Sequence, residues 1–218
     1  MRKIAFEEAA GWIAGEVRGH LIEFDGAVFS GSREPVRGGL FVALKGDRFD
    51  GHAYVDDVLG KGAAGAMVSR SWLASTGFGV PDGKALLVVD DPLTGLQRMA
   101  SAYRKGFQIP MIGITGSNGK TSTKEFAAAA LGGDEVLWTQ GNLNNHIGVP
   151  LTLMRLDPTH RGAVVEMGMN HRGEMAPLVA MTAPTCGIVT CVGVAHIEHL
   201  GSREAIAEEK VVVAEGVP

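Results

Sequence analysis

Only two cysteines occur in 218 residues, Cys186 and Cys191, too few for a disulfide framework. Both fall in an apolar stretch, which predicts buried, reduced thiols rather than a bridge or a metal pair. No run of about 18 consecutive apolar residues exists. The start of the chain, Arg2-Lys3-Ile4-Ala5-Phe6-Glu7-Glu8, meets carboxylates before any segment long enough for a signal peptide. The expectation is a cytoplasmic protein without membrane insertion. Also missing is any block of like charge: 20 Lys and Arg against 24 Asp and Glu leave a net charge of −4. That balance offers no footprint for nucleic acid, so a nucleotide partner would have to be recognised by a local site. Internal repeats and low-complexity tracts are absent too, which excludes solenoids and linker-like chains.

What is present points to a folded α/β protein. Hydrophobic residues make up 45% of the chain, enough for at least one full core. The 31 glycines fall singly at the ends of apolar segments, as short turns between alternating elements require. Helical apolar spacing runs from Phe6 to Ala14, and short strands are predicted at Ala27–Phe29 and Gly39–Leu44. After the turn Asp50-Gly51-His52, a helix over Ala53–Leu59 feeds a strand at Ala66–Val68. Ala85–Val89 is an uninterrupted apolar strand. Asp90-Asp91-Pro92 then offers an acidic cap and a proline in the first helical turn, with Leu93, Leu96, Met99, Ala100 and Tyr103 on one face and Gly106 as the stop. Phe107–Pro110 reads as a linker, so the expected division is a unit over residues 1–107 and another over 108–218.

In the second unit the rhythm is strand, glycine turn, helix: Met111–Thr115, a loop over Gly116–Gly119, then Lys120–Leu131. Further continuous apolar strands, Ala163–Glu166 and Gly187–Val192, flank a helix over Gly173–Met181, and a last helix runs from Ser202 as N-cap through Ala214. Continuous apolar strands alternating with helices predict a mostly parallel sheet covered on both faces.

Thr115-Gly116-Ser117-Asn118-Gly119-Lys120-Thr121-Ser122 lies where a strand enters a helix, the context a phosphate-binding loop needs. Glycines allow successive backbone N–H groups to converge on phosphate oxygens, and the helix N-terminus adds a favourable dipole. Lys120 would add a positive charge at the β- and γ-phosphates, and the Thr121 hydroxyl would ligate Mg²⁺. The general phosphate-loop pattern wants glycine where Ile114 stands. Glu166, ending an apolar strand, would present a carboxylate at the carboxyl edge of the same sheet and serve as a Mg²⁺ ligand. His196 follows the next strand. By itself it reads as a loop histidine or a metal ligand. Lys210, beside Glu208 and Glu209 on the last helix, reads by itself as a solvated helix lysine. Asn142, Asn144 and Asn145 form a polar cluster before the apolar Ile147–Leu153 run, with a turn as the alternative reading.

Gly113-Ile114-Thr115-Gly116-Ser117-Asn118-Gly119-Lys120-Thr121 resembles the Mur ligase form of this loop, in which an aliphatic residue replaces the glycine. Three further segments agree in order and spacing: Gly141 to Leu153, Glu166 to Glu174, and Val192 to Lys210. Together they are most similar to the branch that adds D-alanyl-D-alanine. In the first unit, Ser32-Arg33, Gly39 to Gly46 and Asp50-Gly51-His52 resemble the family's uridine-nucleotide-binding domain, with Gly31 where an acid is usual.

The resemblance implies a small α/β uridine-nucleotide-binding domain followed by a parallel-sheet ATPase domain. Family members continue past Pro218, so it also implies that the ATPase domain is incomplete here. It implies a reaction: the terminal carboxylate of UDP-N-acetylmuramoyl-tripeptide attacks the γ-phosphate of ATP, and the amine of D-alanyl-D-alanine displaces phosphate from the acyl phosphate. The implied catalytic residues are Lys120, Asn145, His196 and Lys210, with Thr115 to Ser122 binding ATP. Two Mg²⁺ ions are implied on Thr121, Glu166, His196 and Lys210, the last as a carbamate. Ser32, Arg33, Lys45, Gly46, His52, Asn142, Asn144, Asn170 and His171 are implied at the substrate, and the protein is expected to be a monomer. Rival readings are a diaminopimelate- or lysine-adding ligase or a folylpolyglutamate synthase, a nucleotide-binding fragment without turnover, and a phosphate-loop kinase or GTPase.

Overall fold

A computed structural model describes residues 2–33, 35–195 and 197–217. The chain divides into two compact units, Met1–Ala102 and Tyr103–Pro218. The first contains β1 (Ile4–Ala5), α1 (Phe6–Ile13), β2 (Glu16–Gly19), β3 (Glu23–Phe24), β4 (Val28–Phe29), β5 (Leu40–Val42), α2 (Val55–Gly60), β6 (Gly65–Ser69), α3 (Arg70–Thr76) and β7 (Ala85–Val89). A single 3-10 turn, Gly51–Tyr54, leads into α2, and α4 (Pro92–Arg104) follows β7.

Strands β4, β5, β6 and β7 are parallel neighbours, and β2 closes the β7 edge antiparallel, giving the order β2-β7-β6-β5-β4. Every residue of β6 and β7 is buried, which is why both read as unbroken apolar runs without alternation. On one face Phe41, Val55, Val58, Leu59, Val68 and Leu86 form a core cluster. Each large side chain fully buried there contributes roughly 1.5–3 kcal/mol of transfer free energy. The acidic cap of α4 is realised: the Asp91 carboxylate accepts the Thr94 N–H at 2.9 Å.

The second unit contains β8 (Met111–Thr115), α5 (Lys120–Ala130), β9 (Val136–Trp138), α6 (Gly148–Leu153), β10 (Gly162–Glu166), α7 (Met175–Thr182), β11 (Cys186–Val189), α8 (Ile197–Leu200) and α9 (Arg203–Glu215). Its sheet is wholly parallel, in the order β11-β8-β10-β9. Pairing of Glu166 with Ile114 and of Val189 with Thr115 brings the carboxyl ends of β10, β8 and β11 level with one another. In an open parallel sheet that edge is where ligand crevices form. Among the described residues no helix is long and apolar enough to cross a membrane.

Several elements depart from the sequence pattern. Four short or edge strands, β1, β2, β3 and β9, carry no periodic signal of their own. The Ile147–Leu153 run is a helix, begun at a Gly148 whose Cβ would lie 2.3 Å from the Leu143 carbonyl carbon. The expectation of buried thiols is wrong: Cys186 and Cys191 are free and exposed. Cys186 opens β11, an edge strand of the sheet, and Cys191 stands beyond its end. The predicted strand over Gly187–Val192 also stops early, at Val189, because the chain there turns toward the phosphate loop.

Candidate functional site

The glycine loop between β8 and α5 takes the strand-to-helix path that its sequence predicts. Gly116 has φ +152°, and a Cβ on it would fall 1.9 Å from the Thr190 hydroxyl oxygen, so only glycine fits. Helix α5 has no side-chain cap at its N-terminus. The amides of its first turn therefore open onto the cleft with the positive end of the helix dipole. The Lys120 ammonium folds back and donates to the Gly116 carbonyl at 2.7 Å. The loop is pinned to the segment after β11: Ser117 N–H donates to the Cys191 carbonyl at 3.0 Å, Asn118 N–H to Cys191 Sγ at 3.3 Å, and Gly193 N–H to Ser117 Oγ at 2.9 Å.

Opposite the loop stands Glu166, the last residue of β10, only 2% exposed. Its Oε2 accepts the Thr121 hydroxyl at 3.2 Å and its Oε1 accepts Asn144 Nδ2 at 2.8 Å, while its own N–H donates to Thr139 Oγ1 at 2.9 Å. A lysine absent from the sequence prediction joins them. Lys124, one helical turn beyond Lys120, is fully buried, its Nζ 3.9 Å from Glu166 Oε2 and 3.1 Å from Glu125 Oε1. The same ammonium donates to the Gly141 carbonyl at 3.3 Å. Residues 117–122, Asn142, Asn144 and Glu166 surround an open cleft of about 320 Å³.

The donor chemistry of this cleft suits magnesium. Thr121 and Glu166 converge beside the uncapped helix, yet no group of three or more His, Cys, Asp or Glu is placed to hold a metal among the described residues. One carboxylate and one hydroxyl leave most of a coordination shell to water and phosphate, which is how Mg²⁺ is commonly held and zinc is not. His196 lies outside the described residues.

Lys210, on α9, is 2% exposed, and burial together with the charge of Lys120 pushes its ammonium pKa down to about 8. The solvated surface lysine that the residues alone suggested is thus overturned. Its neighbour Glu209 accepts the N–H groups of Gly173 at 3.0 Å and Met175 at 2.9 Å, tying α9 to the start of α7.

Of the remaining predicted residues, Asn142 and Asn144 line the cleft, whereas Asn145 turns its Oδ1 to the N–H groups of Ile147 and Gly148 at 3.1 and 2.8 Å. Asn170 and His171 are exposed and form a turn whose amides donate to Glu174 Oε2 at 2.7 and 3.2 Å. Burial raises the Glu174 pKa, but these amides and the His171 ring outweigh it and leave the carboxyl below its usual value.

In the first unit the structure draws Lys45, Gly46 and His52 into one turn. Lys45 Nζ is 3.9 Å from Asp50 Oδ2, and Gly46 N–H donates to the Phe49 carbonyl at 2.9 Å. His52 is buried, with Nε2 accepting the Ser69 N–H at 2.9 Å and Nδ1 at 2.6 Å from Asp50 Oδ1. Both ring nitrogens are thereby engaged inside the fold. Ser32 is half-buried and Arg33 exposed, in the segment between β4 and β5.

The sequence reasoning missed Lys124 and Thr139. Lys124 carried a usable signal, since its spacing from Lys120 puts both on one face of α5. Thr139 carried none, because its role comes from β9 lying beside β10.

Residues 114–218 match the Mur ligase middle domain family. The UDP-N-acetylmuramoyl-tripeptide--D-alanyl-D-alanine ligase of Bacillus subtilis (strain 168) is 42% identical over 179 residues, 82% of this chain and 38% of that protein. The Escherichia coli (strain K12) protein of the same name is 38% identical over 219 residues, 100% of this chain and 46% of its own length. Among solved structures, MurF from Acinetobacter baumannii superposes with a TM-score of 0.87 at 30% identity, over 100% of this chain and 47% of that one. MurF ligase from Thermotoga maritima in complex with ADP gives a TM-score of 0.74 at 31% identity, over 87% of this chain and 43% of that one. The chain spans less than half the length of each of these four relatives.

Proposed function

The chain belongs to the Mur ligase family, and from that premise we propose that it forms the uridine-nucleotide-binding and ATP-binding parts of a ligase. That ligase joins D-alanyl-D-alanine to UDP-N-acetylmuramoyl-tripeptide in peptidoglycan precursor synthesis. The observation that carries the reading is the convergence of Lys120, Thr121, Asn144 and Glu166 on one cleft beneath an uncapped helix N-terminus. Residues 108–218 bind ATP and residues 1–107 bind the uridine nucleotide. Both ligands being nucleotides or nucleotide-linked, the reaction belongs to the cytoplasm.

The Lys120 ammonium exchanges the Gly116 carbonyl for β- and γ-phosphate oxygens, and the first-turn amides of α5 take the remaining phosphate charge. Thr121 and Glu166 hold Mg²⁺, which when bound neutralises charge on the phosphates. Asn142 and Asn144 offer amide donors to the tripeptide carboxylate. That carboxylate takes the γ-phosphoryl group with release of ADP, and the dipeptide amine then displaces phosphate to form the amide. No side chain of this site serves as a nucleophile, so its part is positioning and charge neutralisation. The Lys210 pKa, lowered to about 8, raises the share of neutral amine that carbamylation requires. Ser32, Arg33, Lys45 and Gly46 face the uridine diphosphate, with His52 bracing their turn.

ADP release by the protein, measured with UDP-muramoyl-tripeptide and a panel of amines, tests the reading. Release that depends on D-alanyl-D-alanine supports it. Release driven by diaminopimelate, lysine or glutamate, or by water or a hydroxyl acceptor, overturns it.

A further inference from the structure

Lys124 has no part in the phosphate loop or the metal pair, yet it is a fully buried ammonium, and a charge is left in a protein interior only where partners hold it. Its partners come from three places: Glu125 on its own helix, Glu166 at the end of β10, and the Gly141 carbonyl in the loop between β9 and α6. That loop carries the cleft-lining Asn142 and Asn144 and has no strand or helix of its own. Contacts that tie its cleft-lining part to the rest of the fold include Lys124 on the Gly141 carbonyl, the Gly168 N–H on the Asn144 carbonyl at 2.8 Å, and Asn144 Nδ2 on Glu166.

We propose that Lys124 is a positioning residue: by bridging α5, Gly141 and Glu166 it makes the phosphate-loop helix, the asparagine loop and the metal carboxylate one rigid assembly. The inference rests on the nucleotide and magnesium reading above. Lys124 touches no reacting atom. Its effect reaches the dication through Glu166, whose Oε2 faces both Thr121 and Lys124 while its Oε1 accepts Asn144 Nδ2. Partners that orient a ligating carboxylate tune metal affinity even without contacting the metal.

Calorimetric ADP binding by this chain, with and without Mg²⁺, provides the test, run well below the melting temperature of each variant. In Lys124→Met the metal-free ADP affinity stays as in wild type, while the gain in affinity on adding Mg²⁺ falls by about 10-fold or more. Core filling alone would lower the melting temperature and leave the gain unchanged. A bare positive charge repelling the dication would, once removed, increase the gain. Either result in folded protein overturns the positioning role and leaves the nucleotide reading intact, whereas a wild-type chain that binds no ADP takes both down. Should Lys124→Met fail to fold, Asn144→Ala carries the test through amide exchange. The Leu143 N–H, donated to Gln140 O at 3.3 Å, keeps its protection if Lys124 holds the loop and loses it if the loop hangs from Asn144.

Discussion

His52→Phe separates two roles for a residue that the uridine-domain motif puts at the substrate. The Ser69 N–H donates to Nε2, so that nitrogen carries the lone pair and the proton sits on Nδ1, facing Asp50 Oδ1. Phenylalanine keeps a ring against Trp72, whose centroid is 5.2 Å away, but it removes both nitrogens. The buried Ser69 amide then has no acceptor, at about 1–3 kcal/mol. The lost contact to half-exposed Asp50 adds less, because solvent screens it. A total near 2–3 kcal/mol corresponds to a melting temperature lowered by roughly 4–12 °C for a chain of this size. Thermal unfolding followed by circular dichroism reads that shift. UMP binding, measured well below both transitions, should change by less than about three-fold, or 0.7 kcal/mol. An unchanged melting temperature with a ten-fold loss of UMP affinity would refute the reasoning, because a ring nitrogen would then be facing ligand rather than Ser69. Nitrogen NMR of the wild-type ring gives an independent check, with Nε2 expected as the unprotonated site.

The other predictions concern the second unit. Lys120→Ala should weaken ADP binding by about 10- to 100-fold, the loss of a charged hydrogen bond of roughly 1.5–3 kcal/mol, with UMP binding unchanged, as parallel calorimetric titrations would reveal. Glu174 has a pKa lowered from 4.5, so its hold on the Asn170 and His171 amides is complete above that value and is lost as pH falls through the folded pKa. Amide exchange at residues 170 and 171 should accelerate on acidification in wild type, and in Glu174→Gln, whose amide oxygen still accepts but does not titrate, it should be insensitive to pH over that range once intrinsic exchange is subtracted. Cys191, exposed and against Asn118, should react with a thiol reagent more slowly when ADP is bound, whereas Cys186 should not. Equal protection of both thiols would point to a global effect instead of occupancy of the loop.

Much of this protein is legible without coordinates because its signals are local. Ala85–Val89 and Met111–Thr115 are strands of the predicted extent, since a doubly covered parallel strand must be apolar throughout. Asp91 caps α4, and Ser202 caps α9 through the Ala205 N–H at 3.1 Å, because capping depends only on residues a few positions apart. The glycine loop and the carboxylate at the end of β10 could be named for the same reason: strand-to-helix turns and strand ends are features of short segments. Short β9 and the edge strand β2 were not legible, since a strand of three or four residues at a sheet margin is defined by its partner.

Tertiary packing alone decided what the site residues touch. Lys210 read from the residues alone as a solvated helix lysine and Lys124 was not singled out, yet both are buried, which follows from what covers them. Cys191 was expected inside and lies exposed, because its strand ends early to brace the phosphate loop. Asn145, expected among the catalytic residues, turns its Oδ1 to a helix start, and His52, expected at substrate, has both ring nitrogens engaged in the fold. Residue type and spacing determined which chemistry was available and at which end of which strand. Which groups meet, and how dry their surroundings are, depends on contacts between segments far apart in the chain, and no local pattern encodes those.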